Sequence, residues 1–269
     1  MLSLIKTMLK DKMRFLLIMA ASVVGFQEMY IALFPEIQKQ ADELNKLLAA
    51  YPESFMKAFG IDSASSMFNT IENYLSTEMF SFFWPILMIV VAVSYAGYAI
   101  AGDIDKGTIE LALSQPVSRA KLFISRYSAG AIGLTAFSFV SALSPIFWAE
   151  LHGIDYDPKK FVVLAVGCTL FSLAVFGLAM LVSSMSSDKG KVGMITGGTI
   201  ALMYVLNILS GLQENLKNLK YASFFNYYRG ETLLGKGEFV DWSVVVLGGF
   251  AILTFAGALW IFNKRDITT

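Results

Sequence analysis

The sequence predicts an all-α polytopic membrane protein with six transmembrane helices. Of its 269 residues, 56% are hydrophobic and only 16% are charged, whereas soluble domains carry about 25% charged residues. A bilayer core about 30 Å thick needs roughly 20 apolar helical residues to cross it. Six stretches without Lys or Arg meet this length: residues 15–34, 80–101, 127–149, 161–183, 192–212 and 242–262. They lack the period-two alternation of transmembrane β-strands, so residues 1–269 are predicted to form one helical membrane domain.

Residues 1–14, before the first stretch, have the pattern of an amphipathic helix. Their apolar side chains fill one arc of a helix, and Lys6, Lys10 and Arg14 fall on the other arc. We expect an elbow helix that lies in the membrane interface and leads into the first span. The alternative is an ordinary basic flank that fixes the topology. Because the apolar run continues past the small residues 20–22, we expect the first helix to be retained and not cleaved as a signal peptide.

Residues 35–79, between the first and second stretches, are too many for a simple turn. Apolar residues at helical spacing predict that the first span continues outward until Pro52. Further along, Asp62 or Ser63 can cap a second helix that leads into the second span. These helices would form an outer cap, which either holds substrate or stiffens two long spans.

Basic residues are more concentrated on one side of the predicted membrane. Six spans place both termini on the same side, together with residues 102–126 and 184–191. The segments on that side contain 12 Lys and Arg residues, and the longer segments on the opposite side contain 9. The positive-inside rule therefore predicts a multi-pass protein of the cell membrane with both termini in the cytoplasm.

The residue types present exclude several functions. A net charge of zero gives no global basic field for nucleic acid. The single cysteine, Cys168, and the single histidine, His152, allow neither an intramolecular disulfide nor a His-rich metal site, so we expect packing and surface roles for them. A phosphate loop is absent, because Thr108 follows Gly102 and Gly107 where a lysine is required. We therefore expect no enzyme activity and no cofactor bound by this chain.

The loop at residues 102–126 has more internal order than a simple connection between two spans needs. Gly107 and Thr108 offer a helix start, and a short helix is predicted over residues 109–113. Pro116 fits the first turn of the next helix, with Ser114 as its cap. A helix, a turn and a second helix that feeds the third span are typical of a loop that docks another protein.

The chain resembles the type 2 ATP-binding-cassette (ABC) permeases. In that family the second and third spans are joined by an acidic-Gly-Thr-aliphatic-Glu sequence and then by Pro-Val-Ser-Arg. Here the two parts read Asp105-Lys106-Gly107-Thr108-Ile109-Glu110 and Pro116-Val117-Ser118-Arg119. The family often has Glu where this chain has Asp103 and Asp105. The likeness extends over the whole chain, from the basic elbow helix to the closing residues 264–266.

The resemblance implies a permease subunit without its own motor. A separate ABC ATPase, present in two copies, would bind ATP and Mg²⁺ and receive the coupling helix, with Glu110 as the main polar contact. A second permease subunit would complete the pathway, as a homodimer in membrane lipids, and would export a lipophilic drug, an antibiotic peptide or a lipid-like molecule. The resemblance assigns the following residues to the ATPase-coupling loop: Asp103, Asp105, Lys106, Gly107, Thr108, Glu110, Pro116, Ser118 and Arg119.

Four residues within the spans are candidates for a substrate pathway or gate. Glu28 lies in the first span, where a carboxylate is costly unless it is paired, protonated or hydrated. Its alternative role is to pair with a neighbouring hydroxyl or amide near the outer end of a long helix. Phe83 lies in an aromatic group that also suits an interfacial belt. Tyr204 and Asn207 of the fifth span complete the set.

Two other classes of function remain open from the sequence. A secondary transporter or channel could use Glu28 as its coupling or selectivity carboxylate, but the halves before and after residue 126 show no convincing repeat. A non-transporting membrane subunit could instead serve assembly or signalling. An intramembrane enzyme is disfavoured because neither Gly-x-Ser-x-Gly nor His-Glu-x-x-His is present.

Overall fold

The computed structural model describes residues 2–52, 56, 67–109 and 117–265, and every regular element within these ranges is helical. The α-helices are α1 Leu2–Lys39, α2 Ala41–Ala49, α3 Ile71–Leu75, α4 Trp84–Ala99, α5 Ala101–Asp105, α6 Arg119–Leu151, α7 Pro158–Met185, α8 Lys189–Leu212, α9 Phe224–Tyr227 and α10 Ser243–Lys264. Two π-helices, Ser76–Phe83 and Glu231–Lys236, and a 3₁₀ helix, Glu214–Ala222, complete the fold.

Within the described residues, six helical segments are long and apolar enough to cross a membrane, which confirms the predicted fold class. They are Ile5–Lys39, Ile71–Ala99, Arg119–Leu151, Pro158–Met185, Lys189–Leu212 and Ser243–Lys264. Each contains most or all of one predicted stretch and extends beyond it at one or both ends. Six crossings leave the two ends of the described chain on one side, called here the termini side. The opposite side is called here the outer side.

The fourth span, α7, occupies the centre of the bundle. It packs against the second, third, fifth and sixth spans, and 61% of its most apolar 18-residue stretch is buried. Small residues permit this close packing. A Cβ added to Gly177 would lie 2.2 Å from the hydroxyl oxygen of Thr254 on α10. A Cβ added to Gly130 of α6 would lie 2.3 Å from the ring of Phe176. The core therefore forms around α7.

The N-terminal region differs from the prediction. The structure has one helix from Leu2 to Lys39, so the predicted elbow at residues 1–14 is not set apart from the first span. The chain has no Gly or Pro between residues 2 and 24, and thus no residue that would interrupt the helix there. The outward extension predicted to reach Pro52 is present as α2, after a turn at Gln40.

The second span begins earlier than predicted, at Ile71 instead of residue 80. Thr70 caps this helix, because its side chain accepts a hydrogen bond from the amide of Asn73. The proposed caps Asp62 and Ser63 lie outside the described residues. Asn69, just before the cap, bonds to Gln38 and Asn45 at 2.9 Å in each case. These bonds join the outer ends of the first and second spans.

The first π-helix, Ser76–Phe83, widens the second span near its outer end. In a π-helix each amide bonds to the carbonyl five residues earlier. Two hydroxyl groups donate to carbonyls in this region: Ser81 to the oxygen of Ser76 at 2.7 Å, and Tyr228 to the oxygen of Phe80 at 3.0 Å. The outer segment before the sixth span is therefore attached directly to the π-helix.

Candidate functional site

The predicted coupling loop begins with α5 and a tight turn on the termini side. Gly107 has a φ of +68°, a left-handed conformation that glycine adopts without the steric cost of a Cβ. The Thr108 hydroxyl lies 3.3 Å from both the backbone oxygen and the carboxylate of Asp103, and donates to them. Asp103 therefore closes the turn that carries the Gly-Thr pair, while residues 105–108 are exposed.

Asp103 also forms an ion pair with Arg126, which lies inside the start of the third span. Only 5% of Arg126 is exposed, and its guanidinium donates a second bond to the backbone oxygen of Ala99. A buried cation is costly unless it is paired and hydrogen-bonded. The pair thus joins the start of the loop, the end of the second span and the third span into one unit.

The fourth span contacts the same unit through Ser183. Its hydroxyl donates to the backbone oxygen of Ala96 at 2.7 Å and accepts from the amide of Ala101 at 3.1 Å. Ser183 is fully buried. One serine therefore satisfies backbone groups on both sides of the break between α4 and α5, where the loop leaves the second span.

The helix that contains the third span begins before the predicted stretch at residues 127–149 but after the predicted helix start at Pro116. Val117 and Ser118 are not helical, and α6 starts at Arg119 with the Ser118 hydroxyl accepting from the amide of Lys121 at 3.3 Å. The predicted start at Pro116 with Ser114 as cap is therefore wrong. Ser118 takes the extended backbone conformation that an N-cap requires.

Two arginines join the ends of the remaining spans to the loop. Together with the Asp103–Arg126 pair and Ser183, they form what is called here the base of the loop. Arg119 donates to the backbone oxygen of Arg265 at 2.6 Å. Arg265 in turn donates to the backbone oxygens of Ser184 at 3.0 Å and Ser186 at 2.9 Å, and to the hydroxyl of Ser187. The start of the third span, the end of the sixth and the link between the fourth and fifth are thus held together.

The middle of the loop, residues 110–116, lies outside the described residues, and with it Glu110, Pro116 and most of the predicted short helix. Of the other predicted loop residues, Asp103, Ser118 and Arg119 belong to the fixed base, and Asp105, Lys106, Gly107 and Thr108 form its exposed edge. The arrangement is a base joined to several spans, with an exposed apex at residues 105–108.

Glu28 lies near the outer end of the first span, as one of its two interpretations predicts. Its carboxylate is 3.5 Å from the Nε2 atom of His152, which caps the end of α6, and 41% of its side chain is exposed. The partner is an imidazole and not the expected hydroxyl or amide. His152 also lines an outer cleft of about 620 Å³ with polar residues that include Gln38, Glu72 and Lys160.

The other three pathway candidates do not join Glu28. Phe83 stacks on Phe26 of the first span, with ring centroids 4.5 Å apart. Tyr204 lies 6.3 Å from the ring of Phe82 and 5.0 Å from that of Phe225. These three rings line an open groove of about 240 Å³ between the second and fifth spans. Phe82 and not Phe83 is thus the second-span aromatic that faces Tyr204.

Asn207 lies beyond Tyr204 on the fifth span and is half-buried. Its backbone oxygen accepts a hydrogen bond from the hydroxyl of Ser210 at 2.6 Å. Asn207 does not line the groove. The structure therefore brings only Tyr204 of the four candidates to it.

Sequence reasoning missed Gln27, the residue next to Glu28. Gln27 is fully buried; it donates to the backbone oxygen of Ser141 at 2.6 Å and accepts from the hydroxyl of Ser144. Trp148 adds a bond to the oxygen of Val24 at 3.1 Å. A lone amide in an apolar run was the available signal, because a buried amide must find hydrogen-bond partners. These bonds join the first and third spans.

Tyr228, in the outer segment before the sixth span, is a second residue whose role was missed. Besides its bond to the Phe80 oxygen, its hydroxyl lies 3.5 Å from the sulfur of Cys168. Its ring lies 5.7 Å from that of Trp84 and 4.7 Å from that of Phe171. Burial raises the pKa of Tyr228 well above its ordinary value. Cys168 is a packing residue in this cluster, as expected.

Comparison with known proteins identifies the family. The model of the ABC-2 family transporter protein matches residues 4–267. The chain is also 26% identical, over 216 residues, to a protein described as uncharacterized membrane protein YdbK from Bacillus subtilis (strain 168). That match covers 74% of this chain and 85% of the relative. With six candidate spans and a family match over nearly its whole length, the chain is a membrane transport permease of the ABC-2 family.

Proposed function

We propose that this chain is the permease subunit of an ABC exporter in the cell membrane, with both termini in the cytoplasm. A separate ATPase subunit, in two copies, binds ATP and Mg²⁺ and supplies the energy. The observation that carries the proposal is the rigid base of the loop between the second and third spans, with its exposed apex at residues 105–108. A simple connection between two spans has no need of such a base.

The base determines how movement at the apex reaches the membrane. The Asp103–Arg126 pair links the loop to the second and third spans, and the bonds of Arg119 and Arg265 link it to the fourth, fifth and sixth. Glu110, in the part of the loop for which the sequence predicts a short helix, docks into the ATPase. A displacement of the apex then moves the inner ends of several spans together instead of bending a flexible linker.

The fifth span provides the surface for a second permease subunit. Only 17% of its most apolar 18-residue stretch is buried, and a Cβ added to Gly197 or Gly198 would meet no atom within 4 Å. Glycines on an exposed face allow a second helix to approach closely in a membrane. In a homodimer the two fifth spans lie near each other.

The groove beside Tyr204 favours a lipophilic or lipid-like substrate. Except for Ser81 and the Tyr204 hydroxyl, its lining is formed by apolar or aromatic side chains and Gly197. A groove of about 240 Å³ is smaller than a typical drug site of about 300–1,000 Å³. Two facing copies of the groove would provide enough volume for such a molecule.

The proposal is tested by reconstituting the permease with its ATPase in lipid vesicles. Glu110→Lys is expected to weaken ATPase association by about five- to hundredfold, because a polar contact at an interface contributes roughly 1–3 kcal/mol. Asp11→Lys, on an exposed termini-side residue, makes the same change in charge and serves as the control. If Glu110→Lys bound its ATPase and extruded a lipophilic fluorescent dye like the wild type, the loop would not couple the two subunits.

A second variant separates docking from coupling. Asp103→Asn keeps a side-chain oxygen that can accept from Thr108 in the apex but removes the negative charge that pairs with Arg126. We expect ATPase association to persist while the amount of dye extruded for each ATP hydrolysed falls.

The orientation in the membrane is checked with cysteines placed at two exposed positions, Lys46 and Lys106. The native Cys168 is buried and should not react with the labelling reagent. Only the cysteine at position 46 is expected to react with a membrane-impermeant reagent added outside.

A further inference from the structure

Three lysines converge on one tyrosine at the termini side of the bundle. The ammonium groups of Lys12, Lys189 and Lys106 lie 3.6, 4.5 and 5.4 Å from the ring centroid of Tyr98. Lys189 also donates a hydrogen bond to the Tyr98 hydroxyl at 2.9 Å. Distances below about 6 Å are those of cation–π contacts. One aromatic ring thus holds three cations close to each other.

The fold creates this cluster from residues far apart in the chain. Lys12 lies on α1 before the apolar part of the first span, Tyr98 is next to last in α4, and Lys189 is the first residue of α8. Lys106 lies in the turn after α5. The lysines therefore stand at the ends of the first, second and fifth spans, which is the level of lipid headgroups in a bilayer.

No carboxylate of the described residues forms an ion pair with the lysines of this cluster. Among the described residues, no carboxylate lies within 4 Å of the three ammonium nitrogens, whereas Arg126 pairs with Asp103 and Lys39 with Glu36. Asp11 and Asp105 are the acidic residues near enough to influence Lys12 and Lys189, respectively. Three like charges held together repel each other. The three ammonium groups, which have no carboxylate partner among the described residues, suit a ligand with several negatively charged oxygens.

We propose that the cluster, defined as Lys12, Tyr98, Lys106 and Lys189, binds the phosphate of an anionic phospholipid. A phosphodiester offers two charged oxygens, and ammonium groups bind phosphate as point charges. The first and fifth spans leave room for the lipid beside the second span, because only 17% of the most apolar stretch of each is buried. The headgroup lies among the lysines, and the acyl chains follow the exposed apolar surface of the first span, which leaves the exposed face of the fifth span to the second subunit.

A lipid fits the position better than the ATPase does. Of the cluster, only Lys106 belongs to the exposed apex suited to protein docking, whereas Lys12 and Tyr98 are only half-exposed and lie at the ends of membrane spans. The site should prefer phosphatidylglycerol to phosphatidylcholine, because the choline group neutralises the phosphate. The same phosphate chemistry occurs in soluble molecules, so the experiment must distinguish the two sources.

The test is native mass spectrometry of the detergent-purified protein titrated with phosphatidylglycerol or phosphatidylcholine of the same acyl chains. Near a membrane surface each lysine contributes about fivefold to the affinity for an anionic lipid. The triple variant K12Q/K106Q/K189Q should therefore bind the first phosphatidylglycerol at least about tenfold more weakly. The matched triple variant K10Q/K121Q/K191Q removes three exposed lysines at the termini-side ends of the first, third and fifth spans and should stay within about twofold of the wild type.

Tyr98→Phe provides a variant that keeps the ring and the fold. It loses only the bond to Lys189, so its affinity should fall less than that of the triple variant, by about two- to fivefold. Tyr98→Leu removes the ring that gathers the lysines and should fall further. Equal melting temperatures of wild type and Tyr98→Phe show that the loss is not due to unfolding.

Three outcomes would overturn the proposal. Equal losses in the two triple variants would mean that only the overall charge attracts the lipid. Displacement of phosphatidylglycerol by millimolar glycerol phosphate or inorganic phosphate would identify a site for soluble phosphates. Unchanged lipid binding together with lost ATPase association would identify the cluster as part of the protein interface.

Discussion

The fourth and fifth spans are neighbours in the chain, yet they differ in almost every contact they make. The fourth span, α7, has 61% of its most apolar stretch buried, and the fifth span, α8, has 17%. Gly177 of α7 lies against Thr254, whereas Gly197 of α8 faces open space. Hydropathy is high in both spans, so it does not tell a helix buried in protein from one that faces lipid or a second subunit.

This contrast is tested most strongly by the two glycines. Gly177→Val is expected to lower the free energy of unfolding by about 3 kcal/mol, because overpacking a tight core typically costs 1–3 kcal/mol and Ala251 backbone leaves little room for adjustment. Unfolding by SDS titration in mixed micelles measures the effect. Gly197→Val is the control. Equal destabilisation by both variants would show that α8 is packed as tightly as α7.

Arg265 tests the anchoring of the fourth span at its termini-side end. Arg265→Gln removes charged hydrogen bonds to the oxygens of Ser184 and Ser186. We expect a loss of about 2 kcal/mol, since bonds to charged groups contribute roughly 1.5–3 kcal/mol. Hydrogen exchange in residues 183–187 should rise as well. The neighbouring Lys264→Gln makes the same change in charge, and a similar loss there would point to charge alone.

Tyr228 tests the anchoring at the outer end. Tyr228→Phe should cost about 1 kcal/mol, because it removes the neutral hydrogen bond to the Phe80 oxygen and a weak one with the Cys168 sulfur. The pKa of Tyr228 is raised in the folded state, so its contribution is fully present below the unfolded pKa of about 10 and is lost as pH rises through the folded value. The difference between the two proteins should thus be constant from pH 6 to 9, as unfolding at each pH would reveal. A difference that already shrinks below pH 9 would contradict this.

The exposed face of α8 should show the smallest effect on stability and a clear effect on assembly. Gly197→Leu should change the free energy of unfolding by no more than about 0.5 kcal/mol, as surface substitutions usually do. If α8 forms the interface between two subunits, the added side chain separates the helices and lowers the dimer fraction. Cross-linking through a cysteine at the exposed Met194 reports this fraction, and an unchanged yield would place the interface elsewhere.

The spans could be predicted from the sequence because crossing a membrane requires a long apolar helix, whatever its neighbours. Their ends could not, because these depend on partners distant in the chain. The predicted stretch for the second span begins at residue 80, after the acidic residues Glu72 and Glu78. In the structure Glu72 is buried and accepts a bond from the amide of Asp157 at 2.7 Å. That partner lies 85 residues away.

The candidate sites could likewise be predicted only in part, because their contacts also depend on residues distant in the chain. The resemblance identified the loop and its Gly-Thr pair, but the ion pair of Asp103 with Arg126 depends on how two spans meet. Tyr204 and Phe83 were grouped because both are aromatic residues in predicted spans. Their helices turn them to different neighbours, and only Tyr204 reaches the groove. Direction around a helix depends on tertiary packing when nearly all sides are apolar.

The π-helix at Ser76–Phe83 gives the second span a joint that the third span lacks. Its turns hold about one residue more than α-helical turns, and one residue corresponds to about 100° of rotation in an α-helix. Returning this segment to an α-helix would thus turn Phe82 away from Tyr204, and the bond from Tyr228 to the Phe80 oxygen opposes that return. The third span is α-helical from Arg119 to Leu151. A pull on the loop would therefore turn the third span as a whole, whereas the second span could take up the twist at the π-helix near its outer end.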